Sequence, residues 1–168
     1  MKSWFAVQSK PRQEIVAKEQ LEQQGYGTYL PLIRRRKQRN RKWIYATEPL
    51  FPNYLFIRAD PKEQSLAPVR STVGVARLVR FGELLRPVPP QVIDYLRQSE
   101  EVDAGRRVDD TWPFRPGDRV EMLAGALAGL SGIYSMDEPK DRASLLIELL
   151  GRVSEVTVNR ADLSVGRL

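Results

Sequence analysis

Three features of this 168-residue chain predict an α+β fold in two unequal units. Over residues 1–100, short aromatic and β-branched runs alternate with helical patterns, the arrangement of a sheet flanked by helices. Residues 101–113 are charged and aperiodic, which marks a linker. Residues 114–168 then open on Pro116-Gly117-Asp118 and carry glycines at close spacing, the mark of tight turns in a second, smaller unit.

The elements follow in order. Ser3–Gln8 reads as a buried strand. Pro11 suits the first turn of a helix, where its missing N–H costs nothing. That helix is expected to run to about Gln24, with Ile15, Ala17 and Leu21 toward the core, and to stop at Gly25. Tyr26–Ile33 and Trp43–Thr47 read as extended, with the basic stretch between them as a hairpin tip. Leu50–Arg58 continues the sheet, residues 62–70 suit a short helix broken by Pro68, and Val75–Phe81 is another strand. In Gln91–Ser99, Val92, Ile93 and Leu96 share one helical face.

Composition narrows the function. The chain has no cysteine and no histidine, which removes disulfides, thiolate nucleophiles, the usual zinc sites and the commonest general base. With no paired-carboxylate or phosphate-loop motif either, no catalytic residue, metal or cofactor is expected, and the chain is read as a non-enzyme. No apolar run approaches the roughly 18 residues of a membrane span, and the N-terminus lacks a secretory pattern. A cytoplasmic protein, monomeric and off the membrane, is therefore expected. The net charge of +6 is unevenly placed: residues 1–100 carry 18 Lys/Arg against 9 Asp/Glu, and residues 101–168 carry 9 against 12. A polyanion-facing first unit follows from that split.

The densest motif is Arg34-Arg35-Arg36-Lys37-Gln38-Arg39-Asn40-Arg41-Lys42, followed at once by Trp43 and Tyr45. Its cations would meet phosphates and release counterions, giving salt-dependent, sequence-independent affinity. A solvated loop that binds nothing specific is the alternative. In Glu48–Phe56, two prolines flank Phe51, and strand alternation gives Phe51 the opposite parity to Tyr54 and Phe56. Either an aromatic is left outside as a protein interface, or helices cover both faces of the sheet.

Trp4, Glu48–Phe56, Val79-Arg80-Phe81-Gly82 and Pro116–Gly132, in this order, resemble the NusG/RfaH family of transcription elongation factors across nearly the whole chain, and the specialised RfaH branch most closely. The resemblance implies a NusG-type α/β sandwich over 1–100 and a KOW unit over 114–168. It also implies an N-terminal unit that binds the clamp helices of RNA polymerase and opposes pausing. By that carry-over Phe51, Tyr54, Phe56 and Phe81 form the polymerase-binding surface. Lys10, Gln13, Arg70 and Thr72 fall where the branch meets the non-template DNA strand. Val16, Gln20 and Val73 stand where its best-known members are basic, and Ser65-Leu66-Ala67-Pro68 replaces their His-Thr-Thr-Thr string. A general NusG-like factor and a ribosome-associated KOW protein that binds RNA are the other readings.

The C-terminal unit fits two folds. As a strand, Ser144–Val153 leaves Leu146 and Leu150 in solvent, at about 1.5–3 kcal/mol each. As a helix, Leu145, Leu146, Leu149, Leu150 and Val153 make one stripe. Upstream, Met122, Leu123, Ala126, Leu127 and Leu130 share a helical face, opposed by Gly125 and Gly129 at roughly 1 kcal/mol each. RfaH-branch proteins exchange an autoinhibitory α-helical hairpin for a five-stranded β-barrel. The resemblance implies a latch between Glu48 and Arg142, and a barrel form whose Leu146 and Leu150 meet a ribosomal small-subunit protein. A permanent barrel is the alternative.

Overall fold

The computed structural model describes residues 1–82, 85–103, 130 and 132–165. Strand β1 (Ser3–Ser9) leads through a turn at Lys10–Gln13 to helix α1 (Glu14–Gln23). Strands β2 (Gly27–Tyr29), β3 (Leu32–Arg39), β4 (Lys42–Pro49) and β5 (Tyr54–Ala59) follow, then a 3-10 turn at Ala67–Ser71 and strand β6 (Val75–Leu78). Helix α2 spans Pro90–Asp103, so the first three residues of the 101–113 segment are helical. After a short 3-10 turn at Ile133–Ser135 comes α3, Pro139–Val165. Most of the expected linker, and the Pro116–Gly129 glycine motif with the Met122–Leu127 stripe, lie outside the described residues.

A four-stranded antiparallel sheet of order β2-β5-β1-β6 divides the apolar residues between two cores. Alternation does the sorting. Phe5 faces Ile57 and Val7 faces Leu55 across the β1–β5 ladder, and all four join Ala17, Leu21 and Val69 under α1. Ala6 pairs with Phe56, and both face the other way, toward Val92, Ile93 and Leu96 of α2 and Leu146, Leu149 and Leu150 of α3. Strands β3 and β4 form a separate two-stranded ribbon.

Several sequence expectations need correction. Pro11 lies in the turn before α1 rather than in its first turn, and Ile15 is 61% exposed; Glu14, Ala17 and Leu21 are the buried residues of that helix. Asn53 Nα–H donates to the Glu14 carboxylate at 3.1 Å, which puts a partly buried acid where an apolar residue was expected. The basic stretch is not a tip loop. It runs along β3 into β4, and the turn is only Asn40-Arg41, both with positive φ, the backbone of a two-residue primed hairpin turn. The segment around Pro68 is a 3-10 turn with the proline in its first turn. Residues 144–153 are helical, so the strand reading does not describe them.

Candidate functional site: an aromatic face under a C-terminal helix

Phe51, Tyr54 and Phe56 come together on one face despite their parity. Residues 50–53 are not a strand: a bend closes with Tyr54 N–H donating to Phe51 O at 3.1 Å, and Asn53 takes φ 71°. The bend resets the alternation, so Phe51 enters the same core as Phe56, each with no exposed surface. Tyr54 and Phe81 are half-buried at its margin, and Tyr29 stacks beside Phe56 with ring centroids 6.3 Å apart.

Helix α3 closes this face with the stripe Leu146, Leu149, Leu150 and Val153, each at most 4% exposed. Burying each such side chain is worth about 1.5–3 kcal/mol, so apolar contact dominates the docking. Gly151 passes beside Phe81, where a Cβ would stand in ordinary contact 3.4 Å from the ring. Leu130 and Ile133 extend the cover, and Tyr134 O–H donates to Leu96 O of α2 at 3.1 Å. A crevice of about 10 Å³ remains between Phe81, Val88, Leu150 and Val153, room for little more than one water.

The polar part of the contact centres on one buried cation. Arg142, fully buried, donates from Nε to Leu50 O at 2.9 Å, from Nη1 to Met136 O at 2.8 Å, and from Nη2 to the Glu48 carboxylate at 3.0 Å. Lys37 Nζ reaches the other Glu48 oxygen at 2.7 Å. Burial pushes the Glu48 carboxyl up, but the hydrogen bonds and charges of Lys37 and Arg142 outweigh it and hold the group below its ordinary value. Arg35 adds a hydrogen bond to Met136 O and a 3.8 Å ion pair with Asp137.

The β3–β4 ribbon is two-faced. The register pairs Ile33 with Glu48, Arg35 with Ala46 and Lys37 with Ile44, and this face carries the contacts to the C-terminal segment. Arg34, Arg36 and Gln38, paired with Thr47, Tyr45 and Trp43, point the other way. The basic run is thus split between two faces: Arg35 and Lys37 reach carboxylates from the inner one and Arg34 and Arg36 lie on the outer one, while Lys37 is exposed, like Arg34, Arg36, Arg39, Arg41 and Lys42. On a different part of the molecule, Lys10 and Arg70 are exposed and Gln13 is half-buried. Thr72 is 6% exposed, its hydroxyl donating to Pro68 O at 2.9 Å and accepting from Gln24 Nε2 at 2.7 Å.

Sequence reasoning left Leu149, Val153, Ile33 and Leu50 out of the site, although the helical stripe contained the first two. Arg35 and Lys37 were grouped with the other cations because a basic run gives no sign of which face each side chain takes. Among the described residues, no cluster of His, Cys, Asp or Glu could hold a metal, and no helix is long and apolar enough to cross a membrane.

The chain is similar to known proteins. A family model described as transcription termination factor NusG matches residues 2–97. The transcription termination/antitermination protein NusG of Thermus thermophilus is 23% identical over 164 aligned residues, covering 92% of this chain and 81% of that protein. A solved structure described as domain interaction in Thermotoga maritima NusG aligns over 70% of each chain at 21% identity, with a TM-score of 0.45.

Proposed function

The chain belongs to the NusG family of transcription termination and antitermination factors, and from that premise we propose that it is a self-masked elongation factor of the RfaH type that binds RNA polymerase. Phe51, Tyr54, Phe56 and Phe81 form the polymerase-binding face, which fits the apolar side chains of the clamp helices. Helix α3 occupies that face in the resting protein, and the Glu48–Arg142 pair is the latch.

One observation carries this reading: a fully buried arginine of the C-terminal helix is spent on Leu50 and Glu48, directly beside the aromatic face. A buried ion pair adds little net stability over an apolar substitute, while losing one partner is costly. Such a contact suits a release point better than a permanent strut. Once α3 leaves, the 114–168 unit is free to take the KOW barrel, with Leu146 and Leu150 turned outward for a ribosomal small-subunit protein. Lys10, Gln13 and Arg70 would meet the non-template strand, whereas Thr72, buried with its hydroxyl already bonded within the fold, would not; the exposed cations of β3–β4 add nonspecific nucleic-acid affinity.

The test is a single-round transcription assay with bacterial core RNA polymerase on a template with a defined pause, alongside sedimentation with ribosomes. Shortened pause lifetimes, increased by Glu48→Ala, support the reading. Shortened pauses unaffected by Glu48→Ala would indicate a general factor without a mask. Co-sedimentation with ribosomes and no effect on polymerase would indicate a ribosome-associated RNA-binding protein instead.

A further inference from the structure

Among the described residues, the outer face of the β3–β4 ribbon lies away from the aromatic site, and it has an order of its own. Arg34 lies over the Tyr45 ring at 4.6 Å and Arg36 over the Trp43 ring at 4.4 Å. The ladder pairs Arg36 with Tyr45 directly, so Trp43, Arg36, Tyr45 and Arg34 form one row in which guanidinium planes alternate with rings. Both rings are open, Trp43 at 59% and Tyr45 at 64% exposure. Large aromatics at such exposure, on a strand with no apolar neighbour to cover them, are not core.

Charge identifies the occupant. Seven of the nine residues from Arg34 to Lys42 are Arg or Lys, and the ribbon's one acid, Glu48, faces inward to Lys37 and Arg142. A polyanion fits; an apolar protein surface or a basic one does not. Phosphate contact alone would need only the cations. The rings add a second chemistry. Alternate residues on a strand stand roughly 7 Å apart, which is about two base steps of a stacked single strand. Every base offers a π-face to an aromatic ring or a guanidinium plane, but only when it is unpaired; in a duplex those faces are already stacked on their neighbours.

Building on the nucleic-acid part of the reading above, we propose that the outer face of β3–β4 is a stacking platform for single-stranded nucleic acid, with Trp43 and Tyr45 holding unpaired bases and Arg34 and Arg36 holding both the rings and the adjoining phosphates. The hairpin then discriminates single strand from duplex without reading sequence. Among the described residues, this face lies opposite the one that meets the C-terminal segment, so docked α3 does not cover the platform.

The experiment is fluorescence anisotropy of the intact chain at about 0.1 M salt, with labelled oligothymidylate, oligouridylate and a blunt DNA duplex, each of about 16 nucleotides per strand. The single strands are expected to bind more tightly than the duplex. Trp43→Ala and Tyr45→Ala should each weaken single-strand binding about tenfold and leave duplex binding nearly unchanged, while Trp43→Phe retains most of the affinity. Tighter binding of thymidylate assigns the strand as DNA, and of uridylate as RNA; either supports the platform. Equal affinity for strand and duplex, untouched by both alanine variants, would overturn the platform and leave phosphate contact standing. No binding to any of the three would overturn both.

Discussion

The two faces of the central sheet are covered in different ways. The face under α1 is closed by residues near in sequence: Phe5, Val7, Ala17, Leu21, Leu55, Ile57, Val69 and Leu78 all lie within the first half of the chain. It has one tight backbone approach, where Gly74 at φ 88° would set a Cβ 2.8 Å from the Ala17 nitrogen. The opposite face buries Ala6, Phe51 and Phe56 largely against Leu130, Ile133, Leu146, Leu149 and Leu150, about a hundred residues downstream, with a buried arginine at the rim. Both cores are apolar and well filled. What separates them is the origin of the cover: α1 comes from the same stretch of chain as the sheet, whereas α3 comes from far downstream and docks through an apolar stripe and the Arg142 contacts, and we propose that it can leave without unfolding the sheet.

That contrast is testable residue by residue. The largest effect is expected from Glu48→Ala. Removing one partner of a buried pair costs about 3–5 kcal/mol, and the partial exposure of Glu48 together with Lys37 nearby places this change at the lower end. In hydrogen exchange, amides of residues 139–153 should lose protection by two orders of magnitude while α1 amides keep theirs. Equal loss in both helices would mean that the two covers form one cooperative unit.

Matched core truncations sharpen the point. Leu21→Ala and Leu149→Ala each remove a buried leucine, at about 2–5 kcal/mol. Leu21→Ala should lower the main thermal transition by roughly 10 °C or more. Leu149→Ala should leave that transition nearly in place and instead split off a low-temperature step, visible as early loss of helical circular dichroism.

Acidification gives a smaller, reversible version. Because the folded Glu48 carboxyl is held below its ordinary 4.5, it stabilises the docked state fully above that pH, and the contribution is lost as pH falls through the folded value. Protection of α3 amides should therefore drop below pH 4.5 in the native chain, and Glu48→Gln should remove this glutamate's share of the pH dependence. An unchanged profile in Glu48→Gln would assign the acid sensitivity elsewhere.

Smallest is Gly151→Ala. A glycine inside a helix costs about 1 kcal/mol relative to alanine, and the added methyl would only touch the Phe81 ring at 3.4 Å. The docked helix should gain up to about 1 kcal/mol, read as slower exchange of residues 145–153.

Much of the α1 side was legible because strand alternation and local helix patterning determine it. The strands over Ser3–Gln8 and Leu50–Arg58 were readable from their aromatic and β-branched runs and α2 from Val92, Ile93 and Leu96, whereas the pairing of Phe5 with Ile57 and Val7 with Leu55 was not. The aromatic face was less legible for a specific reason. Parity separated Phe51 from Tyr54 and Phe56 and left open whether an aromatic stays outside, since nothing in Glu-Pro-Leu-Phe-Pro-Asn announces that Asn53 adopts a left-handed backbone and resets the alternation. The ribbon failed in a similar way: a nine-residue cationic run looks like a loop by composition, and only pairing with the aromatic strand after it makes it β-structure with two chemically different faces. The helix over 144–153 was readable from its five-residue stripe, but the choice between helix and strand rests on docking energy rather than on local propensity.

In the proposed mechanism, α3 masks a polymerase-binding surface and can be released from it. The most direct measurement is the affinity of bacterial core RNA polymerase for the intact chain and for Arg142→Ala, which alters the cover and not the face. At least tenfold tighter binding is expected for Arg142→Ala, lost again when Phe51→Ala is added. Equal binding by the native chain and Arg142→Ala, or tight binding that survives Phe51→Ala, would contradict it.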